Sequence, residues 1–127
     1  MGNICLQSSE RKKRAKLLKE QLRNEINENQ KYLQIVNVKN LNVSPLISYI
    51  FDVAVNTGEL LLLDDELKKR LLNYYEQVQV FNLWSKQQCD YYFDVNNVDR
   101  IPHSQLHEEL EKVKLIINET YKEVDFG

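Results

Sequence analysis

His103 and His107 are the only histidines in the chain and stand four positions apart. On a helix that spacing puts two imidazoles on one face, where they can share a metal, and Glu108 and Glu111 are close by in sequence. The order is not HExxH, because Glu108 follows the second histidine, so a third ligand and a general base would have to come from elsewhere. His103 adjoins Pro102, and a solvated helix start is the reading adopted. The pair stands as a metal candidate behind it, and no cofactor is expected.

Cys5 and Cys89 are far apart and form no CxxC, which reads as two reduced thiols. Carboxylates do acid–base work inside an apolar enclosure that shifts their affinity for protons, whereas the acids of this chain fall mostly on polar faces. The sequence has no glycine-rich phosphate loop and no nucleophile elbow. The expectation is a protein without catalytic residues.

What remains is electrostatic. Glu10 to Arg23 carries seven basic residues against two acidic, while everything after Arg23 carries ten basic against seventeen acidic. The net charge of −2 therefore hides a basic head on an acidic body. Arg11, Lys12, Lys13, Arg14 and Lys16 are expected to meet an anionic surface, either phospholipid or nucleic acid. The opening Met1-Gly2 raises N-myristoylation, with Cys5 as a second acyl site, although Leu6 stands where that pattern asks for Ser or Thr. Acylation beside a basic run would make a two-signal anchor; an ordinary or truncated N-terminus is the reading preferred. No run approaches the roughly 18–20 apolar residues that span a bilayer, and none has the order of a signal peptide.

These residues must be positioned by a chain of 127 residues with only three glycines and two prolines. Strands would need a turn signal roughly every 8–12 residues, so the chain reads as all-α, built from a few long helices. A flexible lead over 1–9 precedes one helical domain over 10–127. Helix one is expected over about 10–36, with Leu22, Ile26, Asn29, Leu33 and Val36 spaced as one stripe. Asn29 interrupts that stripe with an amide, which reads either as a half-exposed residue or as one hydrogen-bonded to the neighbouring helix and fixing register. A loop follows over 37–43. Ser44 and Pro45 then suit the cap and first position of helix two, expected over 44–57 and closed by Gly58 in the left-handed conformation.

Glu59 to Leu63 reads as a tight connection whose leucines close the bottom of the core. Asp64 is expected to cap helix three, over 65–92, where Leu67, Leu71, Tyr74, Val78 and Phe81 form a stripe that Leu72, Tyr75, Leu83 and Trp84 widen. Base-stacking aromatics want basic neighbours, and here the neighbours are Glu76, Asp90 and Asp94, so the aromatics read as core. After a loop over 94–102, helix four is expected over 104–124 on Leu106, Leu110, Val113, Ile117 and Val124. Four amphipathic helices with short loops predict a four-helix antiparallel bundle or a closely related helical array.

The stretch TGELLLLDDELKKRLLNYY, with Gly58, Leu60, Leu62, Leu63, Glu66, Leu67, Leu71, Tyr74 and Tyr75 and then Asn82, resembles a pattern in a family of small uncharacterised prokaryotic proteins. Upstream, KEQLRNEINENQKYLQ, with Asn29 and Leu33, is similar to the segment that follows the membrane helix of that family. Two departures are Thr57, where those proteins usually have Ser, and the missing N-terminal membrane helix. The resemblance implies a cytoplasmic helical domain held near a membrane, its basic run being the positive-inside flank of an anchor. The leading expectation is thus a non-enzymatic interaction or scaffold domain, cytoplasmic and peripheral to or anchored at the membrane, with a protein partner and an anionic lipid surface. A regulatory protein that binds nucleic acid through the same helix comes second, and a metal protein or enzyme third.

Overall fold

The computed structural model describes residues 2–39, 43–93 and 103–127, with the backbone alone for 2–7, 91–93 and 103. Among the described residues there are four α-helices and no strand: α1 (Gly2–Ile35), α2 (Tyr49–Thr57), α3 (Asp65–Phe93) and α4 (His103–Glu123), with a 3-10 turn (Glu59–Leu62) between α2 and α3. The chain is all-α.

Contacts along the chain give the directions. Glu25 meets Tyr75 and, further along, Val38 meets Gln88, so α1 and α3 run the same way. Gln30 meets Asn118, and Arg70 meets the carbonyl of Glu123, so α4 runs against both. The leg between α1 and α3 descends from Val43 beside Ser85, through Leu46 beside Asn82, to Phe51 beside Tyr75. The order is up, down, up, down, but the second leg is helical only in its lower half.

Apolar stripes explain why these helices gather. Leu18, Leu22, Ile26 and Leu33 of α1 are buried, as are Leu67, Leu71, Tyr74, Tyr75, Val78 and Phe81 of α3 and Leu106, Leu110, Val113 and Ile117 of α4. Fully burying a side chain of this size contributes on the order of 1.5–3 kcal/mol, which is what offsets the entropy of ordering the helices. Leu72 and Leu83, expected to widen the α3 stripe, are instead 49% and 65% exposed, because they lie on its outward shoulder. Leu60 and Leu63 close the lower end of the core, while Leu61 points to solvent.

Local signals account for the junction between α2 and α3. Gly58 sits at φ 80 and ψ 3, where a side chain would be strained, and its N–H reaches the carbonyl of Val55. Asp64 Oδ1 accepts the N–H of Leu67 at 2.8 Å, capping the first turn of α3.

Three expectations about boundaries are corrected or fall elsewhere. The helix expected from Ser44 begins at Tyr49, for a reason developed below. The lead expected over 1–9 is helical from Gly2. The loop expected over 94–102 lies outside the described residues.

Candidate functional site

Two polar constellations can be built from these elements, and the first is buried. Glu25, Asn29 and Gln30 on α1, and Ser85 and Gln88 on α3, are all buried although polar. Such groups cost free energy unless every one finds a partner. Most of them hold backbone between α1 and the body of α2, from Val38 to Phe51, and Gln30 alone bonds only side chains.

Asn29 donates from Nδ2 to the carbonyl of Ile47 at 2.8 Å and accepts the Ile47 N–H on Oδ1 at 2.7 Å. Asn82 does the same for Leu46, accepting its N–H at 2.6 Å and donating to its carbonyl at 3.0 Å. One residue can offer both groups to one amide only where N–H and C=O point the same way, as they do in a strand. Each carboxamide therefore replaces the residue that a neighbouring strand would supply. Consecutive strand residues point to opposite sides, which is why the two grips come from two different helices.

The rest of the segment is held in kind. Ser85 Oγ donates to the carbonyl of Val43 at 2.6 Å, the Ser44 N–H donates to the Tyr32 hydroxyl at 2.6 Å, and Gln88 Nε2 donates to the carbonyl of Val38 at 2.9 Å. Ser44 and Pro45 are exposed and precede the helix; the residue at its cap is Ser48, which makes no side-chain capping bond.

Capping comes instead from another helix. Glu25 Oε2 accepts the N–H of Ile50 at 2.7 Å, and its Oε1 accepts the N–H of Phe51 at 3.5 Å and the Tyr75 hydroxyl at 2.7 Å. In a helix begun at Pro45, the N–H groups of Ile50 and Phe51 would go to the carbonyls of Leu46 and Ile47. Those carbonyls belong to Asn82 and Asn29, and Glu25 takes the donors they leave. That exchange is the reason for the late start of α2.

Beneath it, the Phe51 and Tyr75 rings stack at 4.1 Å between centroids, and Tyr74 meets Tyr75 edge-on at 5.2 Å. Tyr74 donates to Gln30 Oε1 at 2.9 Å, and Gln30 Nε2 donates to Asn118 Oδ1 at 3.0 Å, so one amide ties α1 to α3 and α4. Burial pushes both phenols above their ordinary value, and the charge of Glu25 pushes Tyr75 further the same way. The partners in this network are the protein's own groups, and Gln88 Oε1 alone among its described side-chain atoms is buried without one. Its chemistry is to specify one arrangement of the backbone.

The second constellation is on the surface. Arg11, Lys12, Lys13, Arg14 and Lys16 are all exposed, and among the described side chains of α1 the first in the core is Leu18. Arg14 lies 3.7 Å from Glu59, an exposed pair that adds little stability. Lys12 and Lys16 are brought together with Lys19, Arg23 and Phe126 around an open groove of about 370 Å³ between α1 and the C-terminal segment. Sequence reasoning passed over Lys19, Arg23 and Phe126. A second open groove, of about 390 Å³, has Ile47, Tyr49 and Ile50 on one wall and α1 on the other.

The remaining candidates are quickly placed. His107 is half-buried on α4, and the side chain of His103 lies outside the described residues. No cluster of three or more potential metal ligands occurs among the described residues. Cys89 is a free, exposed thiol, and the side chain of Cys5 lies outside the described residues. No helix among the described residues is long and apolar enough to cross a membrane.

Comparison with known proteins gives no relative from which a role could be borrowed: no family model, no curated protein and no solved structure matches the chain.

Proposed function

We propose that this chain is a non-enzymatic helical interaction domain, cytoplasmic and membrane-proximal, that meets anionic lipid through the basic turns of α1. The observation that carries the reading is that α1 from Ser8 to Arg14 is exposed on every face. Turns of a helix that are polar all round gain nothing from packing against the bundle. A phosphate-covered surface supplies what the bundle does not, at about 1 kcal/mol for each Lys or Arg brought near it. The resemblance to proteins with a membrane anchor and a basic flank supports the same placement.

Co-sedimentation with vesicles tests this. The protein is expected to pellet with vesicles containing phosphatidylglycerol, less so as salt rises, and to stay in solution when Arg11, Lys12, Lys13 and Arg14 are changed to Ala. Failure to bind any anionic vesicle would sink the membrane reading. A salt-dependent gel shift with nucleic acid, seen without vesicle binding, would favour a regulatory nucleic-acid-binding protein instead.

A further inference from the structure

The groove between α1 and the C-terminal segment has a more selective character than the basic turns above it. Lys12, Lys16, Lys19 and Arg23 follow one another at spacings of four, three and four. At 100° per residue these four fall within about 60° of arc and span about 16 Å along the helix. Arg11, Lys13 and Arg14 point to other faces of the same helix. The four are thus a line of charge that shares Lys12 with the ring of charge at the top of α1 and otherwise runs below it.

On α3 and α4 Lys68, Arg70, Lys112 and Lys122 each pair with a carboxylate three or four residues away, while Lys69, Lys86 and Lys114 stand singly rather than in a row. Among the described residues none of the four cations Lys12, Lys16, Lys19 and Arg23 closes an ion pair, although Glu20 borders the groove and Asp125 lies near Arg23. Like charges at these spacings destabilise a helix, so the arrangement costs stability in the absence of an anion.

The opposite wall is placed to finish a site. Phe126 is half-buried against the core, and the Arg23 guanidinium lies 5.2 Å from its ring centroid. The stacking orients a planar fork of donors, which suits oxygens of phosphate better than a freely rotating ammonium does. Just beyond it the segment turns on itself, the Gly127 N–H donating to Asp125 Oδ1 at 2.9 Å. The groove of about 370 Å³ is of small-ligand size and too open to desolvate an apolar guest. Several cations in a row, spaced wider than one phosphate, ask for several phosphates.

We propose that Lys12, Lys16, Lys19 and Arg23, with Phe126 behind them, form a binding site for an anion carrying two or more linked phosphates. The source is either a soluble polyphosphate or a lipid headgroup with more than one phosphate. The lipid-borne form rests on the membrane reading above; the soluble form stands without it.

Titration calorimetry of the full chain with sodium tripolyphosphate tests the site directly. Binding is expected, with orthophosphate much weaker. The Lys16→Ala/Lys19→Ala variant is expected to bind tripolyphosphate about tenfold or more weakly, since it loses two charge-assisted contacts. The Arg11→Ala/Lys13→Ala variant, altered on other faces, should bind as the parent does, and cooperative thermal melts at or above the parent's temperature would show that both variants are folded. No tripolyphosphate binding, or equal weakening in the two variants, overturns the proposal. In a second arm, vesicles with cardiolipin are compared with vesicles of phosphatidylglycerol at equal total charge. A cardiolipin preference lost in Lys16→Ala/Lys19→Ala assigns the lipid source; tripolyphosphate binding without that preference assigns the soluble one. Loss of all vesicle binding with tripolyphosphate binding intact would overturn the membrane reading and leave the groove standing.

Discussion

Asn29 on α1 and Asn82 on α3 hold two adjacent residues, Ile47 and Leu46, each through a matched pair of hydrogen bonds between 2.6 and 3.0 Å. Both sides of a non-helical segment are thereby satisfied without a sheet. Asn29 is buried and Asn82 half-buried, so water replaces either one poorly. The upper half of the second leg depends on this pair.

Truncating either amide leaves an N–H and a carbonyl without partners. Asn29→Ala is expected to cost about 2–4 kcal/mol, and the less buried Asn82→Ala somewhat less, because an unsatisfied buried group costs about 1–3 kcal/mol. Urea denaturation measures both. The double variant should lose less than the two single losses together, since freeing one residue loosens the next. A loss below about 0.5 kcal/mol for Asn29→Ala would show that the grip is dispensable.

Glu25 caps a helix to which it does not belong. Glu25→Ala is expected to destabilise by about 2–4 kcal/mol, because two amide donors and the Tyr75 hydroxyl lose a charged acceptor in a buried site. Glu25→Gln keeps an acceptor oxygen and should cost distinctly less. Amide hydrogen exchange at Ile50 and Phe51 reads the effect locally. Equal losses in the two variants would count against capping by the carboxylate.

Tyr74 and Tyr75 set the alkaline limit. Their phenols ionise at higher pH in the folded protein than the ordinary 10.0 of the unfolded chain. The folded state thus holds protons that the unfolded state releases, so stability is fully present below about pH 10 and falls as pH rises beyond it. Unfolding free energies at pH 8 and about pH 11 should show that fall. Tyr75→Phe is expected to flatten it, while losing about 1–2 kcal/mol at neutral pH with the hydrogen bond to Glu25. An unchanged slope in the variant would exclude Tyr75 as its source.

Gly58 gives a test free of packing. A Cβ added there meets nothing within 4 Å, but φ stays at +80. Gly58→Ala should therefore cost only the backbone strain, about 1–2 kcal/mol, and Gly58→Asn less, because Asn tolerates the left-handed region. Thermal melts of the two variants would separate strain from collision. Equal melting temperatures for parent and Gly58→Ala would refute it.

Much of the fold was legible because its signals are local. The stripes of Leu22, Ile26 and Leu33, and of Leu67, Leu71, Tyr74, Val78 and Phe81, repeat at the helical period and are buried together. The place of Asn29 in a stripe left it either half-exposed or bonded to a neighbouring helix; it is buried, and its partner is the non-helical residue Ile47. Glu25 and Tyr32, four before and three after Asn29, and Ser85 and Gln88, three and six after Asn82, carried a readable signal that went unused. Polar residues at helical spacing beside an apolar stripe announce a backbone to be held. The groove was harder to see, because Phe126 stands more than a hundred positions from Lys19 and nothing local joins them.

By itself the sequence determined four helices, the left-handed stop at Gly58, the cap at Asp64 and the basic run on α1, since periodicity, capping and charge act over a few residues. Only the tertiary structure decided that Ser44-Pro45, a sound helix start in isolation, would open no helix. The carbonyls that α2 would have used are bonded from residues 18 and 36 positions away, and the freed donors go to a carboxylate 25 positions away. Hydrogen bonds at that range outbid a local preference because they satisfy both faces of the segment at once.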